Sequence, residues 1–331
     1  MNLKAEHCSQ IENALSAVAE KAKSGINHFY FVACGGSQAF MMPVQYMFDR
    51  EITIPASIYT ANEFNYGLPK DFGERSVVIT CSHSGNTPET VSAAEKASKA
   101  GAVSIALSNK EDSPLWQAAK YPIHYDHGPD AAVADKSKSV LYALAFGILK
   151  IVAEEQSAKW ESGIRALDAL ERATNCAAEK YKSAAEAWGK KNRRDTIIYT
   201  MGSGASYGEM YSFSACLLME MQWLHSSCIH SGEYFHGPFE ITDYDVSFVI
   251  ALGNGATRYL DERALAFCKK FSDNVFVIDE AEFDMSGIDE EVREYYAPLI
   301  AGSVVRKMVD SLAYERGHPL SVRRYMWQME Y

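Results

Sequence analysis

The sequence predicts an α/β protein of two similar domains, each a parallel sheet flanked by helices. Three observations predict it. Apolar, strand-like runs alternate along the chain with segments of helical period, the pattern of layered α/β folds. A strand, small-residue loop and helix recur as a unit. Tyr30-Phe-Val-Ala-Cys-Gly-Gly-Ser37 and Ser76-Val-Val-Ile-Thr-Cys-Ser-His-Ser-Gly-Asn-Thr87 in the first half answer to Tyr199-Thr-Met-Gly-Ser-Gly-Ala-Ser206 and Ser247-Phe-Val-Ile-Ala-Leu-Gly-Asn-Gly-Ala-Thr257 in the second, offset by about 170 residues. A repeat of that length is a duplicated domain, since solenoid units run roughly 20–50 residues. Finally, 331 residues at 47% hydrophobic and 23% charged suit about two ordinary globular domains.

The elements follow in order. Apolar residues at helical spacing over 3–24, closed by Gly25, predict a leading helix. A buried strand is expected at 28–33, broken by Gly35-Gly36, then a helix at 37–49 and a strand-like run at 52–60. Strand 76–81, helix 88–100 ending at Gly101, strand 103–107, short helix 114–119 and an edge strand 121–125 complete the first sheet. From 132 to 190 the Ala/Glu/Lys-rich pattern predicts two or three helices, with the first domain at 1–192 and the second at 193–331. The second domain restarts with strand 195–201, helix 205–222, strand 246–252, helix 258–271 and strand 274–278, then a long helix over 296–316. The tail from His318 to Tyr331 is too apolar to be left in water and should dock on the body or on a partner subunit. Parallel sheets of this kind bind ligands at the carboxyl ends of their strands.

Charge and composition exclude several classes. A net charge of −11 argues against a nucleic-acid partner, which needs a basic face. It does not exclude an anionic substrate, because backbone N–H groups bind phosphate inside acidic proteins. No apolar run reaches the ~18–20 residues of a membrane span, and the N-terminus lacks a signal-peptide pattern. Seven scattered cysteines without a Cys-x-x-Cys pair read as free thiols of a cytoplasmic protein. The nine histidines show no zinc spacing with them, so neither a metal nor an organic cofactor is expected.

Ser82-His83-Ser84-Gly85-Asn86-Thr87-Pro88 is the strongest local signal. It follows a strand and opens a helix, and it holds three hydroxyls. Gly85 permits a turn with positive φ. Thr87 suits an N-cap and Pro88 the first helical position. Backbone N–H groups and the positive helix end would face a phosphate there. A plain capped strand–helix turn is the simpler reading of the same residues. Ser37, after Gly36, could add a fourth hydroxyl. The second-half copy, Gly253 to Thr257, lacks the serines, so one phosphate site per chain is expected.

These residues resemble the sugar isomerase (SIS) domain family, whose Ser-x-Ser-Gly-x-Thr loop is matched by Ser82, Ser84, Gly85 and Thr87. The Ala33–Ser37, Glu63-Phe64 and His236-Gly-Pro238 segments fit the isomerase half of glucosamine-6-phosphate synthase. No glutamine-hydrolysing stretch precedes them, so the chain is not expected to be that synthase. The segments Leu217–His225, Cys228–Thr242 and Arg323–Tyr331 are similar to the bacterial deglycases of 6-phosphorylated Amadori compounds, the group acting on fructose-asparagine, fructoselysine and glucoselysine 6-phosphates.

The resemblance implies two tandem SIS domains and a hydrolytic deglycase acting on a sugar–amine C–N bond. Its partners would be a phosphorylated sugar–amino acid substrate and a second copy of the chain in a homodimer with shared active sites. It also implies Glu220 and His236 as the catalytic pair, 16 residues apart as in the family. Glu220 near the end of an apolar helix is an unexpected charge, and burial there would raise its pKa. Its simpler reading is a helix-surface charge. His236, placed at a helix end, reads equally as a capping histidine. Glu233, three residues earlier, is a rival carboxylate or an orienting partner for His236. His225 and His230 read as core histidines or substrate ligands. His83 is a candidate phosphate or sugar contact. Lys138, Arg323 and Arg324 are candidate contacts that read also as solvated charges. An amino-sugar-phosphate isomerase or deaminase is the alternative function. A non-catalytic phosphosugar sensor is the third, which predicts loss of the Glu/His pair or a helix-turn-helix fusion.

Overall fold

A computed structural model describes residues 3–330; Met1, Asn2 and Tyr331 lie outside the described residues, and with Tyr331 the last residue of the expected docking tail. The chain divides into two compact units, one made of residues up to 171 with 286–292, the other of 172–285 with 293 onward.

The first unit opens with α1 (Ala5–Lys23) and β1 (His28–Ala33). Then come α2 (Gly35–Ala39), α3 (Met42–Glu51), β2 (Ala56–Thr60), α4 (Ala61–Tyr66) and β3 (Ser76–Cys81). α5 (Pro88–Lys99), β4 (Val103–Ser108), α6 (Pro114–Ala118), β5 (Tyr121–His124) and α7 (Ser137–Val152) follow, and the boundary between the units falls within α8 (Ser157–Asn192). Among the described residues the sheet has five parallel strands in the order β2-β1-β3-β4-β5. β3 and β4 are buried throughout and β1 nearly so, as interior strands covered on both faces must be.

Two expectations change here. β1 ends before Gly35-Gly36 as expected, but the two glycines themselves begin α2, Gly35 taking the left-handed φ of 54° that lets the strand turn into it. The helix expected at 37–49 is split, because Pro43 restarts it as α3. α4 was not read from the sequence, although Thr60-Ala-Asn-Glu63 has a capping-box pattern. The Thr60 hydroxyl accepts the Glu63 N–H at 3.3 Å.

The second unit holds β6 (Ile197–Gly202), α9 (Tyr207–Ser212), β7 (His225–His230), β8 (Ser247–Leu252), α10 (Arg258–Phe271), β9 (Val275–Asp279) and α11 (Arg293–Arg316). Among the described residues its sheet has four parallel strands in the order β7-β6-β8-β9. That is the order β2-β1-β3-β4 of the first unit, so the sequence repeat is a repeat of topology. β7, the counterpart of β2, was missed because His-Ser-Ser-Cys-Ile-His carries little β signal. The expected helix 205–222 is a 3₁₀ turn at Gly204–Ser206, then α9, then a π-helix over Phe213–Met221.

In this sheet the two faces have different partners. Tyr199, Met201, Phe248 and Ile250 pack with Tyr234, Phe235, Phe239 and α10 on one face. On the other, the Thr200 hydroxyl donates to the Met210 carbonyl of α9 at 2.8 Å, and Ser214 of the π-helix to Ser226 of β7 at 2.8 Å. Successive residues of a strand point to opposite faces, which is why 199 and 201 part from 200. Among the described residues no helix is long and apolar enough to cross a membrane.

Candidate active site

The Ser82–Thr87 loop sits where β3 ends beside β1, the point at which strand order reverses, and α2 with Ser37 leaves β1 alongside it. The loop is held by backbone hydrogen bonds within itself and from α6. Gly85 N–H donates to the Ser82 carbonyl at 3.1 Å, and Leu115 N–H to the Gly85 carbonyl at 3.0 Å. Gly85 has φ +67°, and a Cβ there would lie 2.0 Å from the Ser113 hydroxyl oxygen, so the position needs glycine on both counts. Ser82 is buried, its hydroxyl 2.8 Å from that of Thr87. Thr87 is the N-cap residue of α5 with Pro88 next, but its side chain serves Ser82 rather than the helix. The Ser84 hydroxyl accepts Asn86 N–H at 3.2 Å and, like His83, is exposed. Ser37 is half-buried, and its hydroxyl and that of Tyr125 lie against the Cys81 thiol, which burial pushes up to about 12. Gly36 is exposed in the first turn of α2.

His83 stands at the rim, its Nδ1 3.2 Å from the Tyr125 hydroxyl and its ring 4.5 Å from that of His127. Burial against these rings, then the charges of His127 and Lys110, holds its imidazole below the ordinary value. It is therefore neutral near pH 7 and offers hydrogen bonds rather than a fixed charge. Lys138 is half-buried in the first turn of α7.

In the second unit, Glu220 lies on the π-helix and lines a cleft of about 600 Å³ with Met219, Trp223, His225, Arg323 and Arg324. The helix runs back from the carboxyl end of β6, so this cleft lies beside the start of β7. The general rule of ligands at strand carboxyl ends does not hold for it. Glu220 is also paired. Glu220 Oε1 is 2.8 Å from an Arg323 guanidinium nitrogen, with 25% and 7% of the two side chains exposed. Arg323 donates onward to the Leu320 and Val322 carbonyls, and Arg324 covers the Trp223 ring at 4.3 Å. Trp223 takes φ 54°, an uncommon conformation for a bulky residue, in the tight turn from the π-helix into β7. The start of the tail thus docks on its own unit, while Tyr325, Trp327 and Met329 remain exposed. In the sequence Arg323 reads equally as a contact or a solvated charge, because nothing local links it to Glu220.

His236 is exposed and is not at a helix end. Residues 231–237 are turns, and Gly237 (φ 133°) leads into a 3₁₀ turn at Pro238–Ile241. The helical pairing expected between Glu233 and His236 is absent among the described residues. Only backbone joins them, His236 N–H to the Glu233 carbonyl at 2.9 Å, and Glu233 is exposed. The 231–242 segment packs on the Tyr199 face of the sheet, whereas the π-helix bearing Glu220 is on the Thr200 face. Within one unit the sheet therefore separates the two. His225 reaches the Glu220 cleft, and His230 packs on Tyr207 with its Nδ1 accepting Gly232 N–H at 3.1 Å.

The SIS-domain profile matches residues 24–158, which contain the whole Ser82–Thr87 loop. The chain is 50% identical over 307 residues to the fructosamine deglycase FrlB of Bacillus subtilis, covering 92% of this chain and 93% of that protein. The chain belongs to the SIS-domain family. This SIS protein is also 29% identical to the fructoselysine 6-phosphate deglycase of Escherichia coli K12, over 93% of its own length and 88% of that protein. Its fold superposes with a TM-score of 0.93 on a crystal structure of a candidate phosphosugar isomerase of Bacillus subtilis, at 47% identity over 99% of this chain and 100% of that one. The C-terminal domain of the Francisella tularensis glucosamine-fructose-6-phosphate aminotransferase shares the fold at a TM-score of 0.73 and 18% identity.

In the second unit of this SIS protein, carboxylates lie against the counterpart of the Ser82–Thr87 loop. Asp261, buried in the first turn of α10, accepts Gly253 N–H at 3.1 Å and the Ser231 hydroxyl at 2.5 Å. Glu280 accepts the Ser206 hydroxyl at 2.7 Å. Burial, then the neighbouring Asp261 and Glu209 charges, push the Glu280 carboxyl from 4.5 up to about 8. Since the folded state binds this proton more tightly, its contribution is full below pH 4.5 and is lost as pH rises toward 8. Glu280→Gln is thus expected to leave Tm nearly unchanged at pH 5 and to raise it by several degrees at pH 9, read by thermal scans at both values. Equal Tm for both proteins at pH 9 would count against a buried, reluctant carboxyl.

Proposed function

We propose that this SIS protein is a hydrolytic deglycase that cleaves a 6-phosphorylated Amadori compound into a sugar 6-phosphate and a free amino acid. The observation that carries this reading is the likeness to the B. subtilis fructosamine deglycase over nearly all of both chains. In the proposed reaction the sugar ring opens, a base moves a proton between C1 and C2 through an enaminol, and the resulting imine is hydrolysed by water. Glu220 is the base for the C1/C2 transfer and His236 assists ring opening, a division suited to a carboxylate and an imidazole. Arg323 fixes the Glu220 carboxylate, and Arg324 with His225 offers donors along the same cleft. Ser37, Ser82, Ser84 and Thr87 hold the 6-phosphate, with His83 at the rim.

A hydrogen bond to a charged group contributes roughly 1.5–3 kcal/mol. Ser84→Ala is accordingly expected to raise KM by about ten- to a hundredfold with kcat little changed. Equal rates on a phosphorylated and a non-phosphorylated fructosamine would refute the phosphate role.

The active form is proposed to be a homodimer with shared sites. A sheet separates Glu220 from His236 within the second unit, so a substrate needing both would draw them from different copies. The exposed Tyr325, Trp327 and Met329 offer apolar surface for pairing. Glu220→Ala and His236→Ala chains, each inactive, are expected to recover up to about a quarter of wild-type activity once mixed and exchanged, from random pairing into two-fold dimers. No recovery after exchange shown by native mass spectrometry would place both residues in one copy's site.

A further inference from the structure

The geometry points to a divalent metal site, with Zn²⁺ as its fitting ion, formed by His7 of α1, His124 of β5 and Asp126, none of which belongs to the Ser82–Thr87 loop. The ligand atoms make a small triangle. His7 Nε2 and His124 Nδ1 are 3.2 Å apart, and Asp126 Oδ1 lies 3.9 Å from the first and 3.8 Å from the second. Tetrahedral zinc with bonds of about 2.0–2.1 Å places its ligand atoms about 3.4 Å from one another, so an ion at the centre of this triangle needs only small shifts.

The outer hydrogen bonds supply an independent observation. His7 Nδ1 faces Asp135 Oδ1 at 3.0 Å, and His124 Nε2 faces the Asn109 carbonyl at 3.2 Å. Both partners accept, so both of those ring nitrogens carry hydrogen. The remaining nitrogens, His7 Nε2 and His124 Nδ1, face each other at 3.2 Å, and with both rings neutral they present two lone pairs to one another. Two acceptors do not hydrogen-bond, whereas a cation between them satisfies both. A histidine ligand whose second nitrogen donates to a carboxylate or a carbonyl is also the usual outer support of a zinc site.

Charge and burial agree with this placement. His7 is fully buried, while His124 and Asp126 keep 19% and 18% of their side chains exposed, which leaves a path for the ion and room for water as fourth ligand. Lys4 bonds the other Asp126 oxygen and is 57% exposed, so its ammonium can turn into water when an ion binds. Two nitrogens and one carboxylate oxygen suit zinc rather than calcium or magnesium, which prefer oxygen. The ion would pin α1 to the end of the edge strand β5, a structural staple outside the proposed chemistry. Spacing with cysteines, the sequence signal weighed for zinc, could not reveal a site whose histidines lie 117 residues apart.

The test uses chelator-treated full-length protein titrated with Zn²⁺ by calorimetry and with Co²⁺ by visible absorption. One Zn²⁺ per chain, intense tetrahedral Co²⁺ bands and a Tm raised by several degrees are expected. In His124→Gln, which keeps the buried His7–Asp135 contact, affinity should fall at least tenfold and the Tm rise should vanish. Absence of binding to the wild type leaves a shared proton between the rings and overturns the site. Binding that persists unchanged in a folded His124→Gln protein places the ion on other histidines and overturns it equally. Should His124→Gln fail to fold, Asp126→Asn, at a less buried position than His7, serves as the second variant under the same two criteria.

Discussion

Replacing Glu220 by glutamine is expected to lower turnover by about 10²–10⁴-fold, the range general acid–base groups contribute. Glutamine keeps the shape and an oxygen that can accept from Arg323, but it cannot take the C1 proton. KM should stay within a few-fold, because the proposed phosphate loop is a different part of the chain. A structural role would give a different pattern. Arg323 is only 7% exposed, and stripping its counter-charge leaves a largely buried cation whose cost appears in stability. Tm and steady-state kinetics measured on the same preparation separate the two. Near-normal kcat with a lowered Tm would make Glu220 a support for the tail and move the search for the base to Glu233.

Gly85→Ala is expected to show the second large effect, on stability and on substrate binding together. The new methyl carbon would sit 2.0 Å from the Ser113 oxygen, 2.3 Å from its Cβ and 2.9 Å from the Ser108 oxygen, at a φ of +67°. Ser113 cannot yield freely, since its hydroxyl caps α6 by accepting Trp116 N–H and donates to the Lys110 carbonyl at 2.7 Å. Left-handed strain of about 1–2 kcal/mol and overpacking of about 1–3 kcal/mol add to roughly 3 kcal/mol. At about 2–4 °C per kcal/mol for domains of this size, Tm should fall by about 6–12 °C. KM for the phosphorylated substrate should rise as the loop reshapes. A Tm within about 2 °C of wild type would show that the loop relaxes without cost.

The parts of this protein that could be read from its sequence are those fixed locally. The Ser82–Thr87 loop was legible because a buried strand, a glycine and a Thr-Pro helix start all fall within a few residues. The duplication was legible because each half rewrites the same strand and turn. β7 was not, since it is an edge strand whose serines and histidines carry no alternation. Laying the second half over the first would have placed it opposite β2. The π-helix was invisible for another reason: a helical pattern read at 3.6 residues per turn does not register the wider i→i+5 winding. The partners of Glu220 depend on the tail folding back to it from far along the chain. The two faces of the second sheet, on which the Glu220 and His236 segments pack separately, likewise arise only once the strands are assembled.

The most direct measurement is product analysis after incubation with a panel of synthetic 6-phosphorylated fructosamines and glucosamines. Sugar 6-phosphate is followed with a coupled dehydrogenase and the amine by chromatography. A deglycase releases glucose 6-phosphate and free amino acid in equal amounts, with the same amine absent when the substrate lacks its phosphate. Conversion of the substrate to an isomer with its C–N bond intact, and no free amine from any member of the panel, would contradict the proposed hydrolysis and leave an isomerase in its place.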